Sequence, residues 1–287
     1  MVPAQPPEGH VRKPTLVVTR PREEGDAWVA ALSDRGWPAQ SLPLIDIGEP
    51  SSPGARSALA QARLRWPEFD ALMFVSAAAV RHFFDGVARS EATLAAQTRF
   101  WAPGPGTARE LARVLLRLGL PSDHVDAPPV DAAQFDSEHL WPQVEQQVGP
   151  GRRLLVVRGG SPGQDAAVAG NLAGQGRDWL VRQCQERGAL VQACMAYERR
   201  PPRWDDTTQA RARAYLGGGH VWIFSSSEAV SNLRQAWHRF DATGTAALAT
   251  HPRIAAVARE AGFGPVHVSR PSMSDVLAAL ECIRTSP

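Results

Sequence analysis

The chain is almost without lysine: Lys13 is the only one among 31 Lys and Arg residues, and 29 Asp and Glu leave a formal charge of +2. So small a balance supplies no field of one sign to gather nucleic acid. The arginine excess fits either a GC-rich coding sequence or repeated planar recognition of carboxylates and phosphates. Cysteine is scarce too. Cys184, Cys194 and Cys282 are odd in number and widely spaced, which argues against a disulfide framework or a cysteine metal site and for a reducing compartment. No His, Cys, Asp and Glu spacing specifies a metal centre, so no metal or cofactor is expected.

Other absences narrow the field further. No apolar run is long enough to span a bilayer, and the opening "MVPAQPPEGHVRKP" is Pro-rich and polar, without the apolar core of a secretion signal. Residues 1–14 read as a flexible tail, and cytoplasmic residence without membrane association follows as the default. The dinucleotide fingerprint and the phosphate-loop glycine-lysine arrangement are both missing. Gly104 and Gly106 in "APGPGTA" give an amide-rich turn but no nucleotide signature.

What is present is a core and a repeat. With 287 residues and 44% hydrophobic content, the chain can build two domains of ordinary size. "LVVTRP" and "LLVVRG" align with Leu16, Val18 and Arg20 each 138 positions before Leu154, Val156 and Arg158. The helix "GDAWVAALSDRG" matches "GRDWLVRQCQERG", Trp28 against Trp179, at an offset of 151. The 13 extra residues fall in the glycine-rich stretch 160–176, which reads as a loop. A first helix is expected from Asp26 to Arg35, with Asp26 near its entrance favouring the dipole. "ALMFVSAAAV" and "HVWIFSSSEAV" correspond at offset 150, placing Ser76 against Ser226. A weaker third pair, "RFWAPGPGTARELARVLLRLG" and "ALATHPRIAAVAREAG", repeats strand, turn, helix and glycine stop.

Strands alternating with helices predict parallel sheets covered on both faces, hence an α/β fold with two similar domains. In such sheets the turns after the strands face ligand crevices and offer free N–H groups to anions. Those turns hold Arg20, Ser76, Thr107, Arg158, Ser226, His251 and Arg253. Each has two readings. Ser76, Thr107 and Ser226 serve as helix caps or aim amides at a ligand; Arg20 and Arg158 form surface ion pairs or grip an anion. His251 and Arg253 make a plain polar turn or hold a carboxylate. Tyr197, one of only two tyrosines, packs a hinge or turns its hydroxyl into a cleft. Trp28, Trp141 and Trp179 read as packing groups on helices.

Taken in order, "VVTRP" with "PLIDI", "LMFVSAAAV", "GPGTARELARVLLRLG", "FDSEHL", "LLVVRG", "QERGALVQACMAYERRPP", "IFSSSEAVSNL" and "AAVAREAGFGPVHVSRPSMSDVLAAL" resemble the uroporphyrinogen-III synthase family over nearly all of the chain beyond the tail. The resemblance implies two parallel-sheet α/β domains joined by a two-stranded connection and flanking a cleft. The first would be discontinuous, 15–42 with 199–287; the second would be inserted at 48–195; residues 43–47 and 196–198 would connect them. It also implies a monomer without cofactor. The substrate would be hydroxymethylbilane, a linear tetrapyrrole carrying acetates and propionates, cyclised with inversion of ring D and loss of water. Transient contact with a neighbouring enzyme of tetrapyrrole synthesis belongs to the same expectation.

By the same resemblance Tyr197 would meet the departing hydroxyl. A phenol is a weak acid at neutral pH, so both protonating and positioning that hydroxyl remain open to it. Arg20, Ser76, Thr107, Arg158, Ser226, His251 and Arg253 would bind carboxylates. "THPRIA" departs from the threonine-rich turn of some members, and the stretch 160–176 departs from their compact turn, as either a lid or an inert excursion. The alternative from another class is a noncatalytic two-domain binder of an organic polyanion.

Overall fold

In the computed structural model, residues 13–88, 97–129, 132, 134, 136–163, 175–237 and 240–285 are described. Most of the N-terminal tail and residues 164–174 of the glycine-rich stretch lie outside them. The chain divides into two units, 1–46 with 200–287, and 47–199.

The first unit carries a five-stranded sheet. Its strands are β1 (Thr15–Val18), β2 (Ala39–Ser41), β9 (His220–Phe224), β10 (Ala246–Ala249) and β11 (Val266–Val268), ordered β11-β10-β9-β1-β2 with every ladder parallel. Parallel neighbours need crossovers, supplied by α1 (Arg22–Ser33), α8 (Ser227–Ala236) and α9 (Pro252–Glu260). Both faces are apolar. Leu16, Val18, Val221, Ile223 and Leu248 pack with Leu32, Val276 and Leu280, while the alternate residues Val17, Trp222, Phe224, Ala247 and Ala249 are also buried. This is the burial expected of a sheet covered on two sides.

The second unit carries β3 (Asp46–Gly48), β4 (Ala71–Phe74), β5 (Arg99–Trp101), β6 (Val125–Asp126), β7 (Arg153–Gly160) and β8 (Leu190–Arg200), ordered β3-β8-β7-β4-β5-β6. The ladders from β8 across to β6 are parallel. Leu72, Phe74, Phe100, Leu155 and Val157 face a cluster that includes Phe83, Leu111 and Leu115, from α3 (Ala77–Phe83) and α4 (Pro105–Leu118). The alternate residues Ala71, Met73, Trp101, Leu154 and Val156 pack with Leu140, Leu180 and Cys184, from α5 (Ser137–Val144) and α6 (Gln175–Glu186).

The two sheets share one plan. Order β2-β1-β9-β10-β11 corresponds strand for strand to β8-β7-β4-β5-β6, so the repeated "LVVTR" and "LLVVR" occupy the same position in each. In both, chain order along the sheet reverses beside that strand, between β1 and β9 and between β7 and β4. Such reversals open a crevice at the strands' carboxyl ends, where open α/β sheets bind ligands.

One local expectation changes. Helix α1 begins at Arg22 rather than Asp26, because Pro21 stands at its N-cap with φ fixed at −49° and proline tolerates a helix start. Glu23 and Glu24, not Asp26, therefore occupy the first turn. Residues 196–198 are strand: they continue β8 beside β7.

Phe84 lies in a connected group with Trp66, Phe74, Phe83 and Phe100. Fully buried, its ring stands 5.1 Å from Phe83, 5.5 Å from Trp66 and Phe74, and 6.2 Å from Phe100. Truncation there loses transfer energy and leaves a cavity that surrounding rings cannot close. Phe84→Ala is expected to destabilise the protein by about 3–5 kcal/mol in urea unfolding followed by circular dichroism; a loss below ~1 kcal/mol would contradict this packing.

Candidate functional site

Because the ladders of the first sheet, and those from β8 across to β6 in the second, are parallel, these strands release their chains at one edge of each sheet. In the first unit that edge carries Arg20 after β1, Ser226 after β9, and His251 and Arg253 after β10. Thr19, buried, donates its hydroxyl to the Ile223 carbonyl at 2.8 Å and so pins the ends of β1 and β9 together beneath Arg20. The Arg20 guanidinium lies 4.2 Å from the Trp28 ring and 3.5 Å from a Glu24 oxygen. Burial pushes its pKa down and Glu24 partly offsets this; a guanidinium remains protonated throughout. Arg20 and Glu24 thus form an ion pair in which the arginine is mostly covered and the glutamate is exposed.

Ser226 caps α8, its hydroxyl accepting from the Glu228 N–H at 3.1 Å. His251 caps α9 in the same manner, Nδ1 accepting from the Arg253 N–H at 3.1 Å. A cap of this type satisfies one of the free N–H groups at a helix start and leaves others for an anion. Arg253 itself is exposed.

In the second unit the corresponding edge carries Ser76 after β4, Thr107 after β5 and Arg158 near the end of β7. Ser76 caps α3, accepting from the Ala79 N–H at 3.1 Å. Thr107 is no cap: Gly104 holds the N-cap with extended φ, and Thr107 lies buried in the first turn of α4. Arg158 is 5% exposed. Burial lowers its pKa, and Asp178 and Cys194 act in the opposite sense.

Tyr197 joins this edge through an irregularity. Along β7 and β8 the partners are Val157 with Cys194, Arg158 with Met195, then Gly159 with Tyr197. Ala196 is an extra residue, a bulge in one strand of the pair. Strand side chains alternate between faces, so without the extra residue Tyr197 would share the face of Met195. Instead Ala196 and Tyr197 both join the cluster of Phe74, Phe83 and Leu111. The Tyr197 hydroxyl comes to 3.2 Å from the Ser76 hydroxyl, and its ring lies 5.5 Å from that of His82 on α3.

The eight candidates thus divide four and four between the units. Ser76 and Tyr197 are in direct contact, and Arg158 adjoins the glycine that faces Tyr197; Thr107 belongs to the neighbouring helix start. Three participants escaped sequence reasoning. Gly159 and His82 flank Tyr197. Glu198, 1% exposed, accepts from the Ser51 N–H at 2.6 Å and hydroxyl at 3.1 Å, fixing the strand just past the bulge. The double glycine in "VRGG" was the available signal; nothing in the sequence marks the bulge.

The family model described as "Uroporphyrinogen-III synthase HemD" matches residues 26–278. Among curated proteins, the chain is 29% identical over 227 residues to the uroporphyrinogen-III synthase of Synechococcus elongatus, covering 77% of this chain and 74% of that protein. It is 26% identical over 267 residues to that of Salmonella typhimurium, covering 92% and 98%. The solved uroporphyrinogen-III synthetase of Helicobacter pylori superposes with a TM-score of 0.55 at 14% identity, over 94% of this chain and 99% of that one; at that identity the likeness concerns the fold.

Cysteine chemistry can be tested at this site. Burial pushes the Cys184 and Cys194 thiols up to about 12, leaving both protonated and unreactive at neutral pH, whereas Cys282 is exposed. Iodoacetamide at pH 8 should label Cys282 alone in the native protein, read by peptide mass spectrometry. Ready labelling of Cys194, which neighbours Arg158 and the bulge, would overturn the assignment.

Proposed function

This chain belongs to the uroporphyrinogen-III synthase family, and on that premise we propose that it cyclises hydroxymethylbilane to uroporphyrinogen III with inversion of ring D and loss of water. The observation that carries the reading is the Tyr197 hydroxyl at 3.2 Å from Ser76, at the carboxyl edge of a parallel sheet beside its strand-order reversal.

The chemistry makes particular demands. The terminal hydroxymethyl group loses its hydroxyl as water, the oxygen gaining a proton as the C–O bond breaks and the pyrrole N–H giving one up, which leaves an electrophilic azafulvene. The substituted α-carbon of ring D attacks it and forms a spiro-pyrrolenine; fragmentation, recombination and final proton loss close the inverted macrocycle. No strong nucleophile is needed. The protein must hold a flexible polyanion so that the crowded carbon, rather than the free one, meets the electrophile, and must keep water away. Preference for that transition state, not tight ground-state binding, decides the isomer.

The residues suit those demands in type. Capped helix starts at Ser76, Ser226 and His251 present N–H groups to carboxylates, and Arg20, Arg158 and Arg253 add charge, with Thr107 lining the start of α4. A hydroxyl pair, Tyr197 and Ser76, can donate to the departing oxygen and stabilise it as the carbon–oxygen bond breaks. A noncatalytic binder of organic polyanions would use the same anchors but has no use for the hydroxyl pair.

The deciding experiment supplies freshly generated hydroxymethylbilane to the purified protein and separates the products. Protein-dependent uroporphyrinogen III is expected; spontaneous isomer I at its unassisted rate would sink the proposal and favour the binding module. Tyr197→Phe should slow isomer III formation on the order of a hundredfold while its thermal midpoint stays near that of the wild type. Equal turnover in the two folded proteins would remove Tyr197 from the chemistry.

A further inference from the structure

Gly159 faces Tyr197 across the β7–β8 ladder, and no larger residue fits there. A methyl group added at Gly159 would lie 2.5 Å from Tyr197 Cε2 and 2.6 Å from its hydroxyl oxygen, closer still to Cζ; these are the three nearest atoms to it. All three belong to the far end of one side chain and none to backbone. A β-carbon at position 159 therefore evicts the phenol rather than breaking the strand. Gly159 is not one of the glycines with positive φ, so its backbone conformation is open to any residue and the requirement comes from the ring alone.

From this we infer that Gly159 is a positioning residue for the reaction, the floor on which the ring of Tyr197 rests so that its hydroxyl reaches Ser76. The inference rests on the functional reading above and deepens it. Three features act together. The extra residue Ala196 turns Tyr197 onto the face occupied by α3, the bare Cα of Gly159 leaves room for the ring against β7, and the ring of His82 stands 5.5 Å from it. The hydroxyl then has one place to be, 3.2 Å from the oxygen that also caps α3. Displacement of a reacting group by about 1 Å is enough to cost on the order of a hundredfold in rate, so a single methyl group at this position would act far more strongly than its size suggests.

The chain has only two tyrosines, Tyr197 and Tyr215, which makes the seat directly visible. With tyrosine labelled with carbon-13 at Cζ, the protein gives two signals, and Tyr197→Phe identifies the one from Tyr197. Gly159→Ala should move that signal, leave that of Tyr215 in place and slow isomer III formation at least about tenfold. In a Tyr197→Ala background the same substitution should cost nothing further, because a residue acting only through Tyr197 has nothing left to act on. An unmoved Tyr197 signal, or an equal fall in rate in both backgrounds, would overturn the inference. Should Gly159→Ala fail to fold, the double variant should fold as well as Tyr197→Ala alone, since its obstruction is gone; a double variant less stable than Tyr197→Ala would assign the glycine to the backbone and overturn the inference. If the wild type forms no isomer III, the functional reading falls and the reaction half of this inference with it, while the carbon signal still reports whether Gly159 seats the ring.

Discussion

Parallel strands cannot be closed by hairpins. Each must be returned by a crossover, and in consequence every strand of a parallel sheet ends at the same edge. This constraint organises the polar residues of both units. Apolar residues on both faces of the central strands bury the sheets between helices, and polar groups gather at the turns where strand gives way to helix. Ser76, Ser226 and His251 stand at such turns because helix starts need a side-chain acceptor. A side chain that caps a helix start satisfies one N–H of that turn and leaves its neighbours free of helix partners.

Duplication supplies a frame, and a single residue breaks its symmetry. In the first unit β2 runs beside β1 in simple register, Leu16 with Ala39 to Val18 with Ser41. In the second, β8 is longer and carries one residue more than β7 at Ala196. That extra residue costs ladder regularity; past it Glu198 pairs again with Gly160, and its carboxylate accepts from Ser51. What it gives in return is an aromatic hydroxyl on the face where α3 begins. A bulge in this position re-aims a side chain, as bulges near functional sites commonly do.

The arginines show how burial alters a residue's character. Arg20 and Arg158 occupy corresponding strand ends, yet each is taken largely out of water, the first against Trp28 and the second within the ladder. Removing a guanidinium from water is unfavourable, and a carboxylate brought to it recovers part of that loss. Exposed Arg253 carries no such incentive and suits a contact made and released easily. Buried Cys194, neutral near Arg158, contributes packing rather than reactivity.

Periodicity and repetition in the sequence were sufficient for the α/β class, the two-fold plan and the strand-end location of the polar turns. These depend on local rules: apolar alternation, a serine before a helix, glycine after it. The same rules missed the true start of α1, where Pro21 overrides the composition of the turn that follows, and of the two readings open to Thr107 the capping one falls, because Gly104 holds that position without a side chain. Only the tertiary structure decided which of the candidates touch. The contact of Tyr197 with Ser76 spans 121 positions of sequence, and it exists because a bulge shifts strand parity and a glycine on the adjoining strand leaves room. Parity and clearance are properties of two strands in register, and neither strand's sequence specifies its partner's.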